Sequence, residues 1–193
     1  MRVVQTAVGS VDDLLTYSGD EAWGTVSQGP GPQAVAMRLD TILDETALVM
    51  PTLLRPPFAL KIDVEGHEYH ALLGAERFLE QHRPTVLFES IETGGANDRT
   101  RECKDLLVSA GYSLFMLKDG ILIPKTSADV QEELVADFSA LPPGAVPPLG
   151  HEVRQPTTEE RTAWLDALEA VSPDHKHHAE RVRARLAELP AAR

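Results

Sequence analysis

Phe58-Ala-Leu-Lys-Ile-Asp-Val-Glu-Gly-His-Glu68 is a short apolar run that ends in acids and then turns through a glycine. Phe58 to Val64 is nearly all apolar, which predicts an interior strand covered on both faces. Gly66 supplies the turn, and a helix is expected from Glu68 onward. In an open α/β sheet the C-terminal end of such a strand faces the ligand crevice. Asp63, Glu65 and Glu68 then crowd the lip of a pocket. No glycine-rich phosphate or nucleotide loop precedes this strand.

Downstream, the spacing predicts one helix over 68–82, with Tyr69, Leu72, Leu73, Ala75 and Leu79 on one side. Glu76 interrupts that stripe. Pro84 ends the helix, and Thr85 to Glu89 reads as a second apolar strand. Strand, helix and strand together have the length of a right-handed parallel crossover. Cys103, Leu106, Leu107 and Ala110 then recur at helical spacing, with Gly111 as the stop. Tyr112 to Leu117 and Gly120 to Ile123 read as a β-hairpin that turns at Lys118-Asp-Gly120.

The flanks are less regular. Arg2 to Val8 reads as a short strand that starts without a lead-in. Residues 9–35 read as a loose loop with a weak strand at Leu14 to Tyr17. Ala34 to Leu39 suits an edge strand, and Asp40 suits the cap of a short helix, Thr41 to Glu45. Beyond Pro124, Leu141-Pro-Pro-Gly-Ala-Val-Pro-Pro-Leu-Gly150 reads as a stiff linker. Thr157 with Glu160 forms a capping box before Trp164, Leu165, Leu168 and Val171. Ala179, Val182, Leu186 and Leu189 make a last apolar face. The expected division is residues 1–124 as one domain, 125–150 as linker and 151–193 as a helical extension. That extension would pack back on the domain or pair two copies of the chain.

Composition narrows the function. Of 193 residues, 42% are hydrophobic, enough for a packed core. A formal net charge of -12 disfavours nucleic acid and anionic membranes as partners. One cysteine, Cys103, forms no internal disulfide, and no run is long enough to cross a bilayer. A cytoplasmic protein is the expectation.

A carboxylate at the strand end can take a proton from a hydroxyl, orient a polar ligand, or help hold a divalent cation. Glu89, on the neighbouring strand, is expected to open onto the same crevice. Folding offers its own explanations. Asp63 can cap the next helix, Glu65 can be a solvated turn residue, and Glu68 suits a helix start. Lys61 is expected to snorkel or to pair with an acid. His67 and His70 lack a third metal ligand and read as exposed histidines. Cys103 reads as a small core residue.

Leu39-Asp-Thr-Ile-Leu-Asp44, Leu60-Lys-Ile-Asp-Val-Glu-Gly-His-Glu68, Leu72-Leu-Gly-Ala-Glu76 and Pro84-Thr-Val-Leu-Phe-Glu89 closely resemble the FkbM family of S-adenosylmethionine-dependent methyltransferases. The resemblance covers roughly residues 3 to 123. It implies an α/β fold with a Rossmann-like methyltransferase sheet and an antiparallel terminal hairpin. S-adenosylmethionine is the implied cofactor, and hydroxyls of small molecules or sugars are the implied acceptors. Asp63 and Glu65 fall on the family's strand-end motif, as substrate-orienting residue or base. Thr6 and Ala7 fall where the adenine edge lies, with Asp63 also facing the cofactor. Glu68 and Glu89 remain as substrate contacts. Val3 to Gly9 matches the family's third strand. The glycine-rich loop and the first two strand–helix units therefore have no counterpart here. Weak or absent cofactor binding by this chain alone is the expectation. Two other readings stand beside it: a noncatalytic remnant that binds a partner, and a metal-dependent glycosyltransferase using Asp63 and Glu65.

Overall fold

The computed structural model describes residues 4–18, 25–27, 30–49, 56–64, 66–91, 99–126, 135–147, 151–171 and 180. In chain order the elements are β1 (Ala7–Val8), β2 (Asp13–Ser18), β3 (Thr25–Ser27), β4 (Gln33–Met37), α1 (Leu39–Val49), β5 (Ala59–Ile62), α2 (Glu68–Leu73), α3 (Glu76–His82), β6 (Thr85–Ile91), α4 (Thr100–Ser109), β7 (Ser113–Lys118), β8 (Ile121–Lys125), β9 (Val135–Leu141), β10 (Glu152–Val153) and α5 (Thr158–Val171). They make a mixed α/β fold with two sheets, ordered β1-β4-β2-β3 and β10-β8-β7-β9-β6-β5.

The larger sheet grows from the predicted crossover. β5 and β6 are parallel, with Ile62 opposite Phe88. The expected interior position of β5 is corrected. Among the described residues it is the edge of its sheet, and its residues alternate between exposure and burial. Lys61 is 67% exposed, whereas Ile62 is only 5% exposed. An apolar run with a single lysine does not separate a strand covered twice from one covered once. The covered face joins Ile62, Val86 and Phe88 to Leu114, Met116, Phe138 and Ala140. Ala71 and Leu72 of α2 and Cys103 and Leu107 of α4 close over it. Each fully buried leucine there contributes roughly 1.5–3 kcal/mol.

The hairpin β7–β8 forms as predicted, with Lys118 opposite Ile121. Asp119 (φ 48°) and Gly120 (φ 79°) both take the left-handed conformation that a two-residue hairpin turn needs. The sheet does not finish there. β9 is antiparallel to both β6 and β7 and separates them. The linker expected over 125–150 therefore contains a central strand. Pro142 to Ala145 then make a type II turn, with Gly144 at φ 79° and Ala145 N–H donating to Pro142 O.

Residues 9–35, expected as loop, supply most of the smaller sheet. β2 pairs antiparallel with β4 and with β3, and β1 runs parallel to β4. β2 is the strand expected at Leu14 to Tyr17, one residue longer at each end.

The helix predicted over 68–82 is two helices, because Gly74 sits where another part of the backbone passes. A Cβ at Gly74 would lie 2.0 Å from Gly9 O. Asp40 has a different task from the expected local cap, for it lies within α1, which starts at Leu39. Its carboxylate accepts from the backbone N–H groups of Arg77 (3.2 Å) and Phe78 (2.9 Å). It thus caps α3 from a distant part of the chain, where local residue Ala75 has no side chain able to do so.

The C-terminal element packs back on the domain. β10 adds to β8 in parallel, and Trp164 Nε1–H donates to Asp119 at 2.5 Å. The capping box is present: Glu160 N–H donates to Thr157 Oγ1 and Thr157 N–H to Glu160 Oε2. Arg154 binds the same carboxylate, which holds Glu160 down to about 2. The apolar face of Ala179, Val182, Leu186 and Leu189 lies outside the described residues. Among the described residues no helix is long and apolar enough to cross a membrane.

Candidate functional site

Asp63 directly follows β5, so its placement at the strand end agrees with the sequence. The side chain is exposed (47%) rather than pressed into the core, and Lys61 Nζ holds it at 2.5 Å. Both partners are wet, so the pair contributes under about 1 kcal/mol to stability. Asp63 does not cap α2, whose N-cap is His67 with no side-chain cap. Its carboxylate is free to meet a ligand from solvent at the cost of loosening one surface ion pair.

Glu68 turns back onto the strand-end loop. Its Oε1 accepts from Val64 N–H (3.2 Å) and Gly66 N–H (3.3 Å). Gly66 can close this loop because it takes φ 90°. The expected substrate contact at Glu68 is thus, in this structure, a brace that shapes the loop carrying Asp63. Glu65 lies outside the described residues. Glu89 is not at a strand end, as expected, because β6 continues to Ile91. It is half-buried and sits opposite Asp137 of β9.

Thr6 and Ala7 belong to the other sheet. Thr6 Oγ1–H donates to Val35 O at 2.8 Å, and Ala7 pairs with Ala36. The two sheets meet through the residues that follow β1. Gly9 passes directly over Gly74, after α2, and Asp40 N–H of α1 donates to Gly74 O. Ser10 Oγ lies 3.3 Å from His70 Nδ1.

Sequence reasoning missed this last cluster. His67 and His70 are half-buried and stacked, with centroids 4.6 Å apart and planes at 23°. Their expected exposure is corrected. Burial, and then the neighbouring His70, lower His67 to about 4. Burial, and then the charge of Arg99, lower His70 as well. Both rings are therefore neutral near pH 7. Spacing of i, i+3 was the available signal, but it does not reveal that a second sheet covers that face. Nearby Cys103 is inert: burial, then Glu68, push its thiol up to about 12. Among the described residues no cluster of three or more potential metal ligands occurs.

The strand end thus holds an exposed carboxylate beside a braced glycine loop, and the helix that follows holds two neutral imidazoles against Ser10. A family profile described as "Methyltransferase FkbM domain" matches residues 14–114, more than half of the chain. No curated protein and no solved structure matches it.

Proposed function

Because the chain belongs to the FkbM methyltransferase family, we propose that it moves a methyl group from S-adenosylmethionine to a hydroxyl of a small molecule or sugar. One observation carries this. The family match runs through Lys61 to Glu68, and Asp63 within it stands exposed at the C-terminal end of β5. That is where open α/β sheets receive ligands.

The cofactor finds only part of its needs among the described residues. Asp63 offers a carboxylate to ribose hydroxyls or to an ammonium. Thr6, by contrast, already donates to Val35, and the Val64 and Gly66 N–H groups already bind Glu68. These residues do not make up a cofactor cradle, so the chemistry assigned to them concerns the acceptor alone. Asp63 accepts a hydrogen bond from the acceptor hydroxyl and orients it, or takes its proton; Glu65, two residues on in sequence, is the motif's alternative carboxylate for that role.

The test is tritiated-methyl transfer to a panel of hydroxyl compounds by the chain and by Asp63→Asn. Loss of about 10²–10⁴ in rate is expected of the variant. Unchanged turnover would remove Asp63 from the site. A second reading is a noncatalytic module of this fold that binds a partner. It is favoured by the edge position of β5 among the described residues, which leaves one side of its backbone ladder open. Absence of both transfer and cofactor binding would favour it.

A further inference from the structure

The strand end carries one more group with the properties of a proton acceptor. His70 is held on three sides. His67 stacks on it, Tyr69 meets it edge-on with centroids 5.6 Å apart, and Ser10 Oγ lies 3.3 Å from its Nδ1. Arg99 lies over the far ring, 5.6 Å from the Tyr69 centroid. These contacts fix the plane of the imidazole. Its Nε2 has no hydrogen-bond partner among the described residues. Asp63, the other candidate, has a carboxylate oxygen held by Lys61. A ring with one nitrogen tethered and the other open is the arrangement of a base with its orienting group.

Resting on the methyltransferase function proposed above, the geometry points to His70 as the residue that takes the acceptor hydroxyl's proton, with Ser10 setting its tautomer. Ser10 Oγ accepts from Nδ1–H, which leaves the Nε2 lone pair open. In the step, the acceptor O–H bond breaks and an Nε2–H bond forms. The bonding pair stays on the oxygen, which becomes the nucleophile. The imidazolium then returns its proton to water. Burial and the charge of Arg99 keep the ring neutral beforehand. The nearest carboxylate on its own helix, Glu68, is turned onto the loop amides and does not hold the proton.

Two measurements on the full chain decide this. The first is the tautomer, read by NMR of isotope-labelled histidine rings at neutral pH. His70 should show a protonated Nδ1 and a bare Nε2. Ser10→Ala should shift it toward Nε2–H, and Ser10→Thr, which keeps the hydroxyl, should not. The second is modification by diethyl pyrocarbonate, mapped by peptide mass. The native chain should carry an adduct on His70, lost in His70→Gln and kept in His67→Gln. An Nε2–H tautomer in the native chain, a tautomer unmoved by Ser10→Ala, or an unmodified His70 would each overturn the assignment. None of these results depends on cofactor binding, so the proposal can fail while the methyltransferase function stands.

Discussion

Replacing Gly74 with alanine separates two physical effects of opposite sign. Gly74 has φ -71° and ψ -8°, ordinary right-handed geometry that alanine adopts without strain. Backbone entropy alone would therefore make Gly74→Ala stabilising by roughly 0.5–1 kcal/mol. The surroundings say otherwise. The new Cβ would lie 2.0 Å from Gly9 O, 3.1 Å from Gly9 C and 3.3 Å from Arg38 Cα. Backbone atoms cannot swing aside as a side chain can, and ordinary contact distances call for a shift of more than about 1 Å. Gly9 is also tied to β4 through Met37 O, and Gly74 O accepts from Asp40 N–H. Overpacking costs about 1–3 kcal/mol, and loss of the Asp40–Gly74 bond adds about 1 kcal/mol. Set against the entropic gain, these leave a net destabilisation of about 1–3.5 kcal/mol. Urea unfolding followed by circular dichroism measures it, with amide exchange in β1 and β4 reporting whether the smaller sheet has come loose. An alanine variant as stable as the parent, or more so, would refute the close passage of the two backbone segments. With it would go the docking that brings Ser10 to His70.

Other outcomes follow from the same contacts. Asp40→Ala should cost about 2–3 kcal/mol in urea unfolding, because it strips two first-turn N–H groups of α3 of their acceptor. Asp44→Ala, which removes only an exposed ion pair with Arg77, should change stability by about 0.5 kcal/mol or less. His67 makes stability depend on pH. Its folded-state value, about 4, lies below the 6.5 of an ordinary histidine, so the unfolded chain binds more protons between them. Its contribution is complete above pH 6.5 and is lost as pH falls toward about 4. The shift sets a ceiling of ~3 kcal/mol, which water around a half-buried ring reduces to about 1–2 kcal/mol. His67→Gln should flatten that part of the stability–pH curve, and an unchanged slope would remove His67 as its source.

The core of the fold was legible where residues carry one unambiguous instruction. Pro84 stops a helix, Asp119-Gly120 forces a hairpin, and Thr157 with Glu160 builds a capping box, each regardless of distant neighbours. What was missed depends on partners remote in sequence. Val135 to Leu141 is a strand because β6 and β7 hold it on both sides, and nothing local marks it against a proline-rich stretch. Gly74 breaks a periodic helix because Gly9, far upstream, passes over it. For the site, the motif placed Asp63 correctly at the end of β5. It did not foretell that the Glu68 carboxylate accepts from the Val64 and Gly66 amides, because that side chain reads the same on paper whether it faces a ligand or the loop. The imidazole pair stayed hidden because the residues that approach it, Gly9 and Ser10, are remote in sequence.

On the function proposed above, the C-terminal end of β5 and the residues after β1 form the ligand face of a methyltransferase. Amide NMR mapping of the chain titrated with S-adenosylmethionine, and separately with S-adenosylhomocysteine, addresses it most directly. The expected result is weak, saturable shifts concentrated at Gly9, Ser10, Val64, Gly66, His67 and His70. Saturable shifts confined to β10 and α5 would contradict it.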